Sequence, residues 1–331
     1  MQKLKAEVIR YPPRSRSEIK GLIGSIKVFV TSCSRQLGDD IDSYLYIGSG
    51  GKAISLESKE EELESLLRKF GSIEKAAPYV KMELGEELFN LVNNLPVIPA
   101  SSVKGNIRSR LELYFKPKDG KVRSCFISAG PPLRSPLPRG SHGWRYTELW
   151  RNKIVEDRGF PCDFTKNDRV CLICDLFGAP GLKGLIEFSD LIGSNVKLQL
   201  LNLPYGVKVT ASPPASSYVG HIDFTSLEAH ELGLLFIGMG LKDSRRGRPV
   251  LLGRFKYRKM FGDFVFGRIR YSIEKIIVHR FSRPLGDFSP GSIIQGSSLD
   301  KVVKDCVENA VNVFDSELDV IDEVKIVDEI E

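Results

Sequence analysis

Four of the six cysteines lie close together in the chain, and their spacing restricts the fold more than any other feature. Cys171 and Cys174 form a C-x-x-C pair, the spacing at which two thiolates bind one tetrahedral metal ion. Cys125 and Cys162 precede them in the segment 116–170, which is rich in proline and has no periodic apolar pattern. Such a segment buries little by itself, and metal binding supplies folding free energy. We therefore predict a structural zinc site whose ligands are these four cysteines.

Several alternatives to this zinc site stay open from the residues alone. His142 lies among the cysteines and is a candidate to replace one of them as a ligand. Chance placement in the core, or a disulfide, would also explain the cysteines. A thioredoxin-like redox pair is disfavoured, because Leu172 and Ile173 are apolar and the pair ends a loop instead of opening a helix after a strand.

The charge of the chain is divided unevenly between its body and its C-terminus. The formal net charge is +6, but residues 299–331 contain eleven acidic and three basic residues, a net of −8 that leaves +14 on residues 1–298. A body this basic indicates a polyanionic partner, and the alternative is ordinary surface lysine and arginine.

The segment 98–110, IPASSVKGNIRSR, has the pattern of a helix whose first turn binds an anion. Apolar residues recur along one face, and Ser101 or Ser102 would cap the helix. No acid lies in the first turn, so the positive end of the helix dipole is free for a phosphate. Lys104 and Arg108 share a flank off the core face, and the glycine between them permits close approach of another backbone. The alternative is an amphipathic helix whose lysine and arginine are solvated.

The segment 242–270 contains ten basic and two acidic residues with phenylalanine and tyrosine interleaved. This pattern suits single-stranded RNA, because basic side chains bind phosphates while aromatic faces stack on bases. In the alternative interpretation the aromatic residues form the inward face of strands. The basic residues expected to continue the RNA-binding surface from the 98–110 helix are Arg245, Arg246, Arg254, Lys256 and Arg258.

A glycine-rich turn, YIGSGG, occupies residues 46–51 but lacks the lysine and hydroxyl residue of a nucleotide-binding phosphate loop. Its Gly48 and Gly50 would permit close approach of a backbone. The acids Asp39, Asp40 and Asp42 lie in the preceding loop, where a solvated turn is the simpler explanation. No apolar run reaches the roughly 20 residues that cross a bilayer, and the first 20 residues have no apolar signal core, so we expect a cytosolic protein.

Four stretches resemble, in the same order, the signature motifs of the RAMP superfamily of CRISPR-associated proteins. They are the glycine turn at 46–50, IPASSVKGNIR at 98–108, CLICDLFG at 171–178 and LGRFKYRKMFGDFVFG at 252–267. The resemblance extends over about residues 20–280. It implies an α+β fold with a ferredoxin-like, RRM-type core and large insertions, one of them often zinc-bound.

The resemblance also implies a role. Members of this type stack as backbone subunits along the guide RNA of type III interference complexes, and in some an aspartate in a D-x-P-V pattern cleaves the target RNA at regular intervals. The nearest match is AAPYV at 76–80, with Ala76 in place of the aspartate. We therefore expect a guide-RNA-binding subunit without strong enzymatic activity. The alternatives are a zinc-stabilised protein-interaction adaptor and an endoribonuclease, for which the candidate carboxylates are Asp39, Asp40, Asp42 and Glu74.

These observations together predict three parts of the chain. Residues 1–19 form an N-terminal arm, residues 20–298 an RNA-binding domain with insertions at about 52–95 and 116–170, and residues 299–331 a separable acidic tail that is dispensable for folding. The expected partners are guide RNA, complementary target RNA and other subunits of a CRISPR interference complex, with no membrane.

Overall fold

The computed structural model describes residues 4–48, 60–72, 88–126, 137–139, 143–150 and 156–330. The strands are β1 (Leu4–Lys5), β2 (Glu7–Val8), β3 (Leu22–Ser32), β4 (Leu91–Val92), β5 (Leu95–Ile98), β6 (Lys121–Val122), β7 (Glu156–Asp157), β8 (Ile186–Phe188), β9 (Leu191–Ile192), β10 (Gln199–Asn202), β11 (Lys208–Ala211), β12 (Ser217–Leu227), β13 (Val250–Leu251), β14 (Arg268–Val278) and β15 (Ile293–Gln295). The helices are α1 (Glu60–Phe70), α2 (Ala100–Tyr114), α3 (Trp144–Leu149), α4 (Leu172–Phe177), α5 (Ala229–Gly238), α6 (Ser297–Phe314) and α7 (Glu323–Ile330). The expected mixture of helices and strands is confirmed.

The main sheet is antiparallel and is built around three long strands. β3 lies between β12 and β14 and pairs antiparallel with both, and β8 pairs antiparallel with the other side of β12. Alternate residues of β3, namely Ile26, Val28 and Val30, are fully buried, whereas the residues between them are partly exposed. This period of two is expected of a sheet with one face packed on a core.

Helices α2, α5 and α6 form the layer that covers the buried face. α6 crosses α5 at Gly233, where a Cβ atom would lie 2.0 Å from the carbonyl oxygen of Cys306. α5 meets α2 at Gly238, where a Cβ atom would lie 2.7 Å from the side chain of Ile107. A larger residue would meet backbone at Gly233 and the side chains of α2 at Gly238, so both crossings favour glycine. Among the helices described, none has both the length and the apolar character needed to cross a membrane.

The start of α2 differs from the sequence prediction. α2 begins at Ala100 after Pro99, so neither Ser101 nor Ser102 is its N-cap. α5 begins with a capping box formed by Glu228 and Glu231, because β12 pairs with β3 as far as Leu227 and keeps the chain extended up to that residue.

The C-terminal segment packs on the body, although the sequence predicts a separable tail. α6 buries Leu299, Val303 and Ala310 against the rest of the chain. On α7, Glu323 forms an ion pair of 2.8 Å with Arg110, and both side chains are at most 3% exposed. Three further acids of the segment pair with arginines of the body, as Glu317–Arg123, Asp322–Arg248 and Asp328–Arg268.

The N-terminal residues also pack on the body. β1 pairs in parallel with β7, and β2 pairs in parallel with β6. Farther along, Arg14 and Arg16 both donate hydrogen bonds to the carboxylate of Asp175, which is fully buried. The arm therefore ties the region around the C-x-x-C pair to the start of the chain.

The ion pair between Arg110 and Glu323 generates a prediction about stability. Burial raises the pKa of Glu323, but the charge of Arg110 and the hydrogen bonds from Arg110 and the backbone N–H of Leu251 outweigh burial, so the pKa is lowered. We expect Glu323→Ala to reduce the free energy of unfolding by about 3–5 kcal/mol, because Arg110 is left as an uncompensated buried charge. Urea denaturation at pH 7 measures the loss.

The pH dependence follows from the lowered pKa of Glu323. The stability supplied by its carboxylate is present above the pKa of an unfolded glutamate, about 4.3, and is lost as the pH falls through the lower folded-state pKa. The difference between parent and variant should therefore shrink at acidic pH. Glu329→Gln, at an exposed acid of the same helix, is the control and should change stability by less than about 0.5 kcal/mol. Equal effects of the two variants would refute the role of the pair.

Candidate metal centre and nucleic-acid cleft

The four predicted cysteines meet in one buried cluster. Their Sγ atoms all lie within 4.8 Å of one another, and Cys125 Sγ is 3.5 Å from that of Cys174 and 3.8 Å from that of Cys171. Four sulfurs bound to one zinc ion at about 2.3 Å would be about 3.8 Å apart. All four are free thiols in the structure, which argues against the disulfide alternative. These four residues could therefore hold a metal ion, while His142 lies outside the described residues.

Nitrogen donors point at three of the four sulfurs. The backbone N–H groups of Cys125 and Cys171 donate to the Sγ atoms of Cys171 (3.4 Å) and Cys162 (3.3 Å). Arg10 Nε donates to Cys162 Sγ at 3.4 Å, and Arg108 Nη2 donates to Cys174 Sγ at 3.0 Å. Such donors favour the thiolate, which is the form that binds a metal.

The cysteines come from elements that are far apart in the sequence. Cys171 precedes the first turn of α4 and Cys174 lies within it, whereas Cys125 follows β6 and Cys162 follows β7. Because β6 and β7 pair with β2 and β1, the N-terminal arm helps to place two of the four sulfurs. The cysteine cluster therefore holds together a region whose own sequence has no periodic pattern of apolar residues.

A cleft of about 610 Å³ separates the start of α2 from the segment 177–188, which follows the C-x-x-C pair. Ser101 and Lys104 line one side, and Lys183 lines the other. Burial, together with the nearby charge of Arg108, lowers the pKa of Lys104. The cleft therefore carries two lysines, and one of them, Lys183, forms an ion pair with Glu187, which also lines the cleft.

Two expectations about this helix start are corrected by the structure. Arg108 is only 8% exposed, and its guanidinium binds Glu112, the carbonyl oxygen of Gly178 and Cys174 Sγ. The helix pattern placed it on a flank off the core face, available to a phosphate, but these partners from α2 and the cysteine region enclose it. The helix N-terminus is also partly occupied, because Asp190 accepts a hydrogen bond of 2.7 Å from the backbone N–H of Ala100.

The glycine turn and the late basic segment are brought together. The backbone N–H of Arg254 donates to the carbonyl oxygen of Tyr46 at 2.8 Å. Gly253 has φ +89°, and a Cβ atom there would lie 2.5 Å from that same oxygen. Gly48 lies beside the Arg254 side chain, while Gly50 is outside the described residues. Two motifs that are about 200 residues apart in the sequence therefore form one surface.

The predicted basic residues of 242–270 do not share one environment. Arg254 and Arg258 place their guanidinium groups over the rings of Phe255 and Phe261, at 5.3 and 4.5 Å from the ring centroids. Burial lowers the pKa of Lys256 to about 8. The aromatic residues of this segment are themselves buried or half-buried, so the inward-facing alternative accounts for them.

Arg245 and Arg246 lie on another side of the same segment. The backbone N–H of Arg245 binds Asp300, and Arg246 donates to the carbonyl oxygen of Leu37 and lies 3.8 Å from Asp39. Both arginines are exposed, and Arg246 lies beside the loop that contains the clustered acids.

The carboxylates considered for catalysis have structural roles in that loop. Asp39 is buried, binds Arg270 and accepts a hydrogen bond from the backbone N–H of Ser34. Asp42 accepts hydrogen bonds from the Ser34 hydroxyl and the Arg35 backbone, which lower its pKa. Asp40 is exposed. Glu74 and Ala76 lie outside the described residues.

Comparison with known proteins decides the family. A family model described as the RAMP superfamily matches residues 42–223, more than half of the chain. This chain belongs to the RAMP superfamily. The match includes the glycine turn, the 98–108 motif and the C-x-x-C segment, while the late basic segment lies beyond it.

Solved structures similar to this RAMP chain are distant from it in sequence. The crystal structure of Thermofilum pendens Csc2 is 12% identical with a TM-score of 0.33, over 96% of this chain and 84% of Csc2. The cryo-EM structure of the type III-B Cmr-beta complex bound to cognate target RNA contains a chain that is 13% identical with a TM-score of 0.32, over 78% of this chain and 61% of that one. No curated protein matches the RAMP chain.

Sequence analysis of this RAMP chain missed Lys183, Asp190 and Arg10. Lys183 follows the C-x-x-C segment in a glycine-rich stretch, GAPGLKG, so a search for basic residues near that motif would have found it. Asp190 and Arg10 carry no local signal, since each acts on a segment more than 80 residues away.

The contact between the glycine turn and the basic segment can be tested at Gly253. We expect Gly253→Ala to reduce the free energy of unfolding by roughly 2–4 kcal/mol, because the new methyl group combines left-handed backbone strain with a clash against the carbonyl oxygen of Tyr46. Gly286→Ala is the matched control, since φ there is +58° and no described atom lies within 4 Å of the new Cβ. It should cost only about 1 kcal/mol. Thermal or urea unfolding distinguishes the two, and equal losses would contradict the contact.

Proposed function

We propose that this RAMP chain binds guide RNA as a backbone subunit of a type III CRISPR ribonucleoprotein involved in antiviral defence. The observation that carries the proposal is the cleft between α2 and segment 177–188, where Lys104 and Lys183 face a space of about 610 Å³. The family and the +14 charge of residues 1–298 support it. The partners in this role are guide RNA, complementary target RNA and neighbouring subunits of the complex.

We infer that the core is ferredoxin-like. Four strands and two helices occur in the chain order β3, α2, β8, β12, α5, β14, with other elements inserted between them, and the spatial order of the strands is β14-β3-β12-β8. This is the β-α-β-β-α-β arrangement of ferredoxin-like and RRM-type domains. The domain spans residues 20–298 in this proposal, with the arm and the C-terminal helices packed on it.

The proposed path of the RNA runs along the cleft and over the glycine turn. Ser101 and Lys104 lie on one wall, Lys183 on the other, and Gly105 of α2 is exposed beside them. Arg254 and Arg258 extend the positive charge at the glycine turn. Because these contacts are made to phosphates, binding should tolerate sequence and weaken with salt.

We also propose that the ion held by the four cysteines is zinc in a structural role. Four thiolates complete a tetrahedral coordination and leave no position for a reacting water. The proposal contains no catalytic step. Asp39 and Asp42 are used by the loop that holds them, and alanine stands at position 76, where the family resemblance places an aspartate.

The cleft generates a prediction about RNA affinity. Replacing Lys104 and Lys183 together by alanine removes two phosphate contacts, so the slope of log affinity against log salt should fall by about 1.4, at roughly 0.7 per contact for a single strand. The control replaces Lys304 and Lys325, exposed lysines of α6 and α7, and should leave the slope unchanged. Filter binding of single-stranded RNA over a range of salt concentrations measures it. An unaltered slope in a folded cleft variant would refute the RNA path.

The metal centre generates a second prediction. The purified protein should contain about one zinc ion per chain, and Cys171→Ser with Cys174→Ser should abolish it and lower the midpoint of thermal unfolding. Cys33→Ser, at a buried cysteine outside the cluster, is the control and should keep the metal. Elemental analysis of the three proteins is decisive, and a parent protein free of zinc would refute the site.

A protein-interaction adaptor is distinguished from an RNA-binding subunit by what copurifies with it. Protein isolated from its natural host should absorb ultraviolet light as a ribonucleoprotein does and should release RNA on extraction. A natural preparation that contains partner proteins but no RNA would favour the adaptor.

A further inference from the structure

Arg108 and Arg10 occupy equivalent positions on two sides of the cysteine cluster. Arg108 Nη1 donates to the carbonyl oxygen of Gly178 at 2.6 Å while its Nη2 donates to Cys174 Sγ at 3.0 Å. Arg10 Nη2 donates to the carbonyl oxygen of Phe160 at 2.7 Å while its Nε donates to Cys162 Sγ at 3.4 Å. Each guanidinium therefore joins one sulfur to a carbonyl group a few residues away in the sequence.

The negative charge of the metal-bound cysteine cluster explains why arginines lie beside it. A divalent ion with four thiolates carries a net charge of −2 in a region where all four cysteines are buried, and buried charge is costly unless it is compensated. The nearby acid Asp175 is already bound by Arg14 and Arg16, and Glu112 binds Arg108 Nε at 2.8 Å. Within the described part of the chain, Arg108 and Arg10 are the arginines whose N–H groups are directed at sulfur.

We infer that Arg108 and Arg10 are positioning residues of the metal centre, which compensate the charge of the bound thiolates and fix two of the sulfurs, and that Arg108 is not a contact for RNA phosphate. Arg108 lies between the cleft and the cluster, but its three donor nitrogens are directed at Glu112, Gly178 and Cys174. The inference uses the metal site of the proposed function and is independent of whether the cleft binds RNA.

The donor geometry of the Arg108 guanidinium matters as much as its positive charge. Lysine keeps the positive charge but cannot donate in two fixed, parallel directions to a carbonyl oxygen and a sulfur. Arg108→Lys therefore removes the hydrogen bond to Cys174 with little change in net charge. Loss of such outer partners typically lowers metal affinity by about ten- to a hundredfold.

The experiment uses the full chain loaded with Co²⁺, whose absorption reports the sulfur ligands. In Arg108→Lys the sulfur-to-cobalt charge-transfer band should move to lower energy, because a sulfur that has lost a hydrogen bond gives up its electron more readily. A competing chelator should show cobalt affinity reduced about ten- to a hundredfold. Arg10 lies at a half-exposed position of the arm, so Arg10→Ala should lower the band energy and the cobalt affinity by smaller amounts. If Arg108→Lys fails to fold, Arg10→Ala alone tests the inference.

The matched control is Arg110→Lys. Arg110 is a buried arginine of the same helix whose partners are oxygens of Glu323, Gly238, Asn106 and Leu251. It should destabilise the protein without moving the cobalt band. The inference would be overturned if Arg108→Lys and Arg10→Ala had the cobalt spectra and affinities of the parent. It would also be overturned by an equal band shift in Arg110→Lys, because that shift would reflect a general loosening of the core.

RNA binding separates this inference from the proposed function. Lys104→Ala should reduce the salt slope of RNA binding by about 0.7 and leave the cobalt band in place, whereas Arg108→Lys should move the band and leave the slope unchanged. A reduced slope in Arg108→Lys would overturn the assignment of Arg108. An unchanged slope in Lys104→Ala would refute the RNA path alone, and a parent that binds no cobalt would refute the metal site and this inference with it.

Discussion

The buried ion pair between Arg110 and Glu323 is the contact on which the arrangement of this chain most depends. The guanidinium of Arg110 bonds the carboxylate of Glu323 and the carbonyl oxygens of Gly238 and Leu251, so one side chain of α2 links α5, β13 and α7. Such a pair adds little net stability compared with apolar packing, but removing one partner is strongly destabilising. The ion pair therefore requires α5, β13 and α7 to pack around α2, the helix that also lines the cleft.

Further ion pairs between the C-terminal segment and the body account for much of the uneven charge distribution seen in the sequence. Acids of the C-terminal segment that were expected to be free to bind elsewhere are paired with arginines of the body. Basic side chains that would have counted toward an RNA surface are thereby used in folding. Fewer basic side chains are therefore free at the surface than composition suggests, and Lys104 and Lys183 of the cleft are not among those paired with C-terminal acids.

Sequence reasoning succeeded where a local pattern determines the structure. The recurrence of apolar residues predicts α2, and the spacing of the cysteines predicts the cluster. It failed where a distant partner decides. Arg108 looks solvated on a helical wheel because the groups that enclose it come partly from the segment after α4. β12 was overlooked because Gly220, His221 and Asp223 interrupt its apolar residues, although Tyr218, Ile222 and Phe224 alternate toward the core.

The 213 residues that separate Arg110 from Glu323 have a consequence for synthesis on the ribosome. Domains fold as the chain emerges from its N-terminal end. α2 therefore leaves the ribosome about 200 residues before α7, and Arg110 is made long before the carboxylate that neutralises it. During that interval the cation of Arg110 has no Glu323 to bind. The packing around α2 is completed only after α7 has been made, so this part of the core forms late although its helix is made early.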